Sequence, residues 1–136
     1  MSVHSQRVSR SAFVFAFLVA TAPALAGDPP PTFDAAPNKL SAADVEALFG
    51  RQHHEDGMHG KDAWSMDVSD DLSLAIHVGT FHDTGRGQFN GNFLCITWTK
   101  LFNGALNCFN YASLGDNRYA SYTIGGKLDS IFVVAK

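Results

Sequence analysis

From residue 62 onward the chain alternates apolar and polar side chains with a period of two. In "WSMDV", Trp64, Met66 and Val68 share one face, and Ser65 and Asp67 take the other. In "LSLAIHVGTFH", Leu72, Leu74, Ile76 and Val78 lie opposite Ser73, Ala75 and His77. Such alternation marks strands with one buried face. It continues with Leu94, Ile96 and Trp98 in "QFNGNFLCITWT", with Phe109 and Tyr111 in "LNCFNYA", and through "RYASYTI" and "KLDSIFVVA". The turn-forming stretches "SDD", "DTGRG", "LFNGA", "SLGDN" and "GG" separate these runs roughly every eight to twelve residues. No helical pattern intervenes, so there are no crossover helices to build a parallel sheet. The expected fold is mainly β, a small antiparallel meander. Closing it into a barrel would remove its edge strands.

Ahead of the strands, "KLSAADVEALFGR" reads as one short N-terminal helix. Ser41 and Asp44 form a capping box, Val45, Leu48 and Phe49 make an apolar stripe, and Gly50 ends the run. Two turns are unstable alone, so the helix is expected to dock as a lid over one end of the β-structure. Residues 27–39 are rich in Pro and Ala, lack periodicity and read as a flexible leader. Residues 1–26 carry Arg7 and Arg10 before a short apolar run and end in Ala24-Leu25-Ala26. This is the pattern of a secretory signal cleaved after Ala26, with no transmembrane anchor left after cleavage. The remaining residues 40–136 are read as a single domain.

Removing two of the ten Lys and Arg residues with the signal leaves eight against thirteen Asp and Glu, a balance of −5. That charge, with no basic cluster, argues against a nucleic-acid partner. A periplasmic or secreted location permits disulfides, and the chain has two cysteines, Cys95 and Cys108. Their spacing is not that of a redox pair, so a disulfide is expected. A tight hairpin at Asn103-Gly104 would pair Cys95 with Ala112 and leave the sulfurs about 13 Å apart along the strand. The disulfide therefore requires Cys95 opposite Cys108 and a wider loop over about Lys100–Asn103, with Leu101 and Phe102 at its tip.

The "LSAADVEALFGR" helix, the "DTG…F" turn, "LCITWTK" and a second cysteine thirteen residues on resemble a domain-of-unknown-function family of small secreted bacterial proteins. That family has a short helix, several strands and a Cys-x-x-Trp…Cys hairpin, here Cys95, Trp98 and Cys108. The resemblance spans roughly residues 40–134. It implies a periplasmic or secreted location, a compact β-rich fold and a structural disulfide, and carries no activity with it. The closed meander read from the alternation is lipocalin-like or calycin-like in general shape. "GRGQF" places Phe89 where the family has Gly-Trp or a similar aromatic.

The densest polar stretch is "QHHEDGMHGKD", where His53, His54, Glu55, Asp56, Met58 and His59 are all potential metal ligands. Zinc or copper would suit the imidazoles, with His54 and His59 facing each other across an Asp56-Gly57 turn and His53 on the other face. His77 and His82 could approach from a neighbouring strand. The competing reading is a solvated hairpin, since Asp-Gly is a strong turn signal. Asp70-Asp71 reads as turn chemistry, and His82-Asp83 as a base and orienter without a nucleophile. No nucleophile elbow, phosphate loop or zinc-protease motif is present, so a non-enzymatic role is expected, without a cofactor unless the histidines hold metal.

Most of the many aromatic side chains must fill the core. Trp64, Trp98, Leu101, Phe102 and Tyr111 are the candidate contacts for a ligand or partner. The expected function is a small β-barrel that binds a small apolar ligand, or an envelope or secreted protein in an inhibitor-like manner. The alternative is a periplasmic metal-binding protein using the histidine cluster.

Overall fold

The structure, a computed structural model, describes residues 28–135. The expected signal sequence lies outside the described residues. Eight antiparallel strands follow the helix α1 (Ala42–Phe49): β1 (His53–His59), β2 (Asp62–Val68), β3 (Ser73–Val78), β4 (Phe81–Asn90), β5 (Phe93–Trp98), β6 (Leu106–Gly115), β7 (Arg118–Thr123) and β8 (Leu128–Val134). Each pairs with the next, and β1 pairs with β8, so the meander closes into a barrel. Closure satisfies the backbone groups that an open sheet would leave at its edges.

Three strand boundaries differ from those read in the sequence, each because of glycine. Asp56-Gly57 is no turn but the middle of β1, directly opposite Trp64; the real turn follows at Gly60. A Cβ at Gly57 would stand 2.3 Å from the Trp64 ring, so the indole lies across bare backbone. "DTGRG" likewise runs through β4, with Gly85 opposite Trp98 and a Cβ there 2.7 Å from that ring. The chain instead reverses at Gly79, inside the run "LSLAIHVGTFH", and at Gly91, inside "QFNGNFLCITWT", each read as one strand.

The inward faces of the strands form the main core, with Met66, Val68, Leu74, Leu94, Ile96, Trp98, Tyr111 and Phe132 all buried. Helix α1 closes one end with Val45 and Phe49. Its capping box is present in both directions, between Ser41 and Asp44. The segment read as a flexible leader is docked instead. Where β6 runs beyond its pairing with β5, Leu40 N–H donates to the Tyr111 carbonyl and Ser113 N–H to that of Asn38. Phe33 and Ala36 cover Tyr122, Ala112 and Ala120 on the outer face, and the Tyr122 hydroxyl donates to the Pro30 carbonyl at 2.9 Å.

Cys95 lies opposite Cys108 and is bonded to it, with Cα atoms 3.9 Å apart. The wider loop follows: Phe102, Asn103 and Gly104 have positive φ and make a tight turn over Leu101–Gly104. Asp83 anchors this loop, its Oδ2 accepting from the N–H groups of Lys100 and Leu101, each at 2.9 Å.

Gly85→Ala is expected to cost about 1–3 kcal/mol in urea unfolding, because a methyl group there meets both Trp98 and the Thr97 carbonyl. Replacing both cysteines by Ala removes a closed loop of about fifteen residues and should cost about 3 kcal/mol. Thiol titration of denatured, unreduced protein should find none; two titratable thiols would contradict the bridge.

Candidate functional site

Inside the barrel lies a cavity of about 260 Å³. Its floor is set by Phe49 from the helix, Met66, Tyr111 and Phe132, all buried. Its mouth is at the opposite end, where the β1–β2, β3–β4, β5–β6 and β7–β8 connections gather. There the wall passes to His59, Asp62, Leu101 and Phe102. Phe102 is 56% exposed, so the loop tip folds over the mouth without sealing it. Of the six exposed large apolar side chains among the described residues, Phe81, Phe102, Leu106 and Ile124 stand on the loops and strand ends at this mouth, giving it an apolar rim.

All five candidate contacts named from the sequence, Trp64, Trp98, Leu101, Phe102 and Tyr111, line this one cavity. The histidines are not brought together. His54 and His59 belong to the same strand at odd spacing and so point to opposite faces. His54 is outside, its Nδ1 2.7 Å from Asp67 and its Nε2 3.3 Å from Asp56. The Asp67 hydrogen bond raises it above its usual value, with burial opposing slightly and Asp56 adding to the rise. His59 stands at the mouth, its Nδ1 donating to the Asp129 carbonyl at 2.7 Å. His53 turns inward against Phe49 and Glu55. Among the described residues no group of three or more His, Cys, Asp or Glu side chains could hold a metal ion. His82 does not reach Asp83 either: it pairs across the sheet with His77, while Asp83 is buried and caps the loop. Burial pushes the Asp83 carboxyl up, but the N–H groups of Leu101, Lys100 and Thr84 hold it below the usual range. Asp71 performs turn chemistry, accepting from Ser73 N–H.

The residue that sequence reasoning undervalued is Glu55. It is 1% exposed, lines the cavity, and neither carboxyl oxygen has a hydrogen-bond partner among the described residues. His53 Nε2 is nearest, 3.6 Å from Oε1 and beyond hydrogen-bond reach. His53 Nδ1 is 2.9 Å from the Arg51 carbonyl, which can only accept, so Nδ1 carries the proton and Nε2 faces the carboxyl. Burial raises the Glu55 carboxyl above its usual value, with His53 opposing. Burial pulls His53 down, but the Glu55 carboxyl and the Arg51 carbonyl outweigh it and leave it raised. Tyr111 is raised well above the usual phenol by burial, and then by the negative charges of Glu55 and Asp129. Period-two alternation through His53, Glu55, Gly57 and His59 was the available signal for this inward face.

No protein family, curated protein or solved structure matches the chain.

The Glu55–His53 pair gives a pH dependence of defined sign. Both folded values lie above their ordinary 4.5 and 6.5, so in that range the folded chain holds protons the unfolded chain has released. Stability from this pair is full below about pH 4.5 and is lost as pH rises through the folded values. Urea unfolding of wild type and Glu55→Gln from pH 4.5 to 8 should show the variant gaining on wild type throughout. A difference that stays flat with pH would contradict the assignment.

Proposed function

We propose that the chain is a periplasmic or secreted, non-enzymatic barrel that binds a small, largely apolar molecule in its interior. The observation that carries this reading is the cavity of about 260 Å³ inside a closed eight-stranded barrel. Barrels of this strand number are just wide enough to be filled by side chains or to hold one small ligand. Here the filling is incomplete. The wall is mainly aromatic and aliphatic with a few polar groups, the usual make-up of a small-molecule site. A cavity of about 150 Å³ admits benzene, so this one suits a ligand of about ten non-hydrogen atoms. The signal-like N-terminus and the disulfide support the location.

Ethylbenzene and naphthalene are suitable neutral probes. Each should raise the unfolding temperature in proportion to its occupancy and alter the fluorescence of Trp64 and Trp98, which line the cavity. Val78→Phe, which fills the wall near the mouth, should weaken both responses at least tenfold. Absence of any response in wild type would overturn the reading.

A further inference from the structure

The cavity is not evenly apolar, and most of its ionisable lining groups are acidic. Three carboxyl-bearing residues line it, Glu55, Asp62 and Asp129, against one imidazole, His59, and no Lys or Arg. Asp62 and Asp129 lie at the mouth. Glu55 sits four residues in from His59, about 13 Å deeper along β1. Asp129 is already engaged: its Oδ2 accepts from the Ser130 hydroxyl, and its Oδ1 is 3.5 Å from His59. Glu55 is met on one side only: His53 Nε2 stands 3.6 Å from Oε1, and neither buried oxygen has a hydrogen-bond partner among the described residues.

A buried acceptor of this kind calls for donors, and the one side chain in ion-pair range is His53, 3.6 Å from Oε1, which leaves Oε2 unmet. A ligand entering the cavity can bring the donor that Oε2 lacks. A neutral hydroxyl would satisfy one oxygen but gain nothing from the acidic mouth. An ammonium group would be drawn past Asp62 and Asp129, would donate to both Glu55 oxygens, and would meet the faces of aromatic rings, which favour cations. Trp64 and Tyr111 supply such rings on the cavity wall. A carboxylate-headed ligand would meet Asp62 and Asp129 on the cavity wall and Glu55 at the floor, with Lys61, Lys100 and Lys127 only on the connections outside.

We propose that the barrel binds a small primary amine with an apolar, aromatic-sized body, its ammonium group held by Glu55 at the cavity floor. This rests on the reading of the barrel as a small-molecule binder and specifies the ligand class for the same cavity.

The test compares three probes of nearly equal size, 2-phenylethylamine, 2-phenylethanol and phenylacetate, with ethylbenzene as the neutral reference. Binding is followed by titration calorimetry and by Trp64 and Trp98 fluorescence. The amine is expected to bind at least tenfold more tightly than the alcohol, and the acid at least tenfold more weakly than the alcohol. In Glu55→Gln the amine-to-alcohol ratio should collapse towards one. The selectivity of wild type stands as a test by itself if that variant does not fold. Equal affinity for amine and alcohol in wild type, or a preference for the amine that survives Glu55→Gln, would overturn the proposal while ethylbenzene binding kept the broader reading intact. Failure of all four probes would remove both.

Discussion

The backbone ladder between β1 and β8 is the contact on which the rest of the structure depends. It runs over Glu55–Met58 and Ile131–Val134, and it converts a linear meander into a closed wall. Closure fixes the number of inward positions, and the side chains placed there decide whether the inside is solid or hollow. Eight strands leave an interior just wide enough to be filled by side chains or to hold one small ligand. This chain gives several of those positions to glycine: Gly57 and Gly85 face Trp64 and Trp98, and Gly87 faces Leu94 and Leu72. Each tryptophan can then lie flat against its neighbouring strand instead of reaching across. The interior keeps its aromatic lining and yet retains a cavity.

The same closure explains the attachments outside the barrel. β5 and β6 pair only over Leu94–Thr97 and Leu106–Phe109, so the later half of β6 has a free edge on that side. Residues 38–40 take up that edge, and the residues before them cover Tyr122. The chain then enters α1 already placed over one end of the barrel. The helix is therefore a consequence of the leader's docking as much as of its own capping box.

The fold class, the capped helix and the Cys95–Cys108 register were legible because each has a local signal. Alternation marks a half-buried strand, Ser41 and Asp44 mark a helix start, and register arithmetic fixes which residues can face each other. The strand β1 was hidden. Its inward side chains are polar or absent, so it shows no apolar alternation, and Asp56-Gly57 mimics a turn. Whether a glycine serves a turn or makes room for a ring depends on its cross-strand partner, and that is a long-range fact. Trp64, opposite Gly57, and Trp98, opposite Gly85, hold that information. The cavity contacts could be named from their residue types, but the carboxyl at the floor could not be placed until β1 was a strand.

Two buried carboxyls in this small protein make an instructive pair. Asp83 receives backbone N–H groups from Thr84, Lys100 and Leu101, so its charge is stabilised and its task is to hold a loop. Glu55 has no such backbone donors; burial raises its carboxyl, and His53, 3.6 Å from Oε1, opposes that only in part. An apolar residue at position 55, beside Met66 and Val134, would avoid that cost, since well-packed hydrophobic replacements of buried charges are often stabilising by about 1–4 kcal/mol. A carboxyl kept where packing alone would exclude it is a conflict between local chemistry and global stability. Such conflicts concentrate at functional sites. The half-met acceptor, the cavity it faces and the carboxyls of Asp62 and Asp129 nearer its mouth line one continuous space, and that continuity separates Glu55 from an ordinary defect of the core.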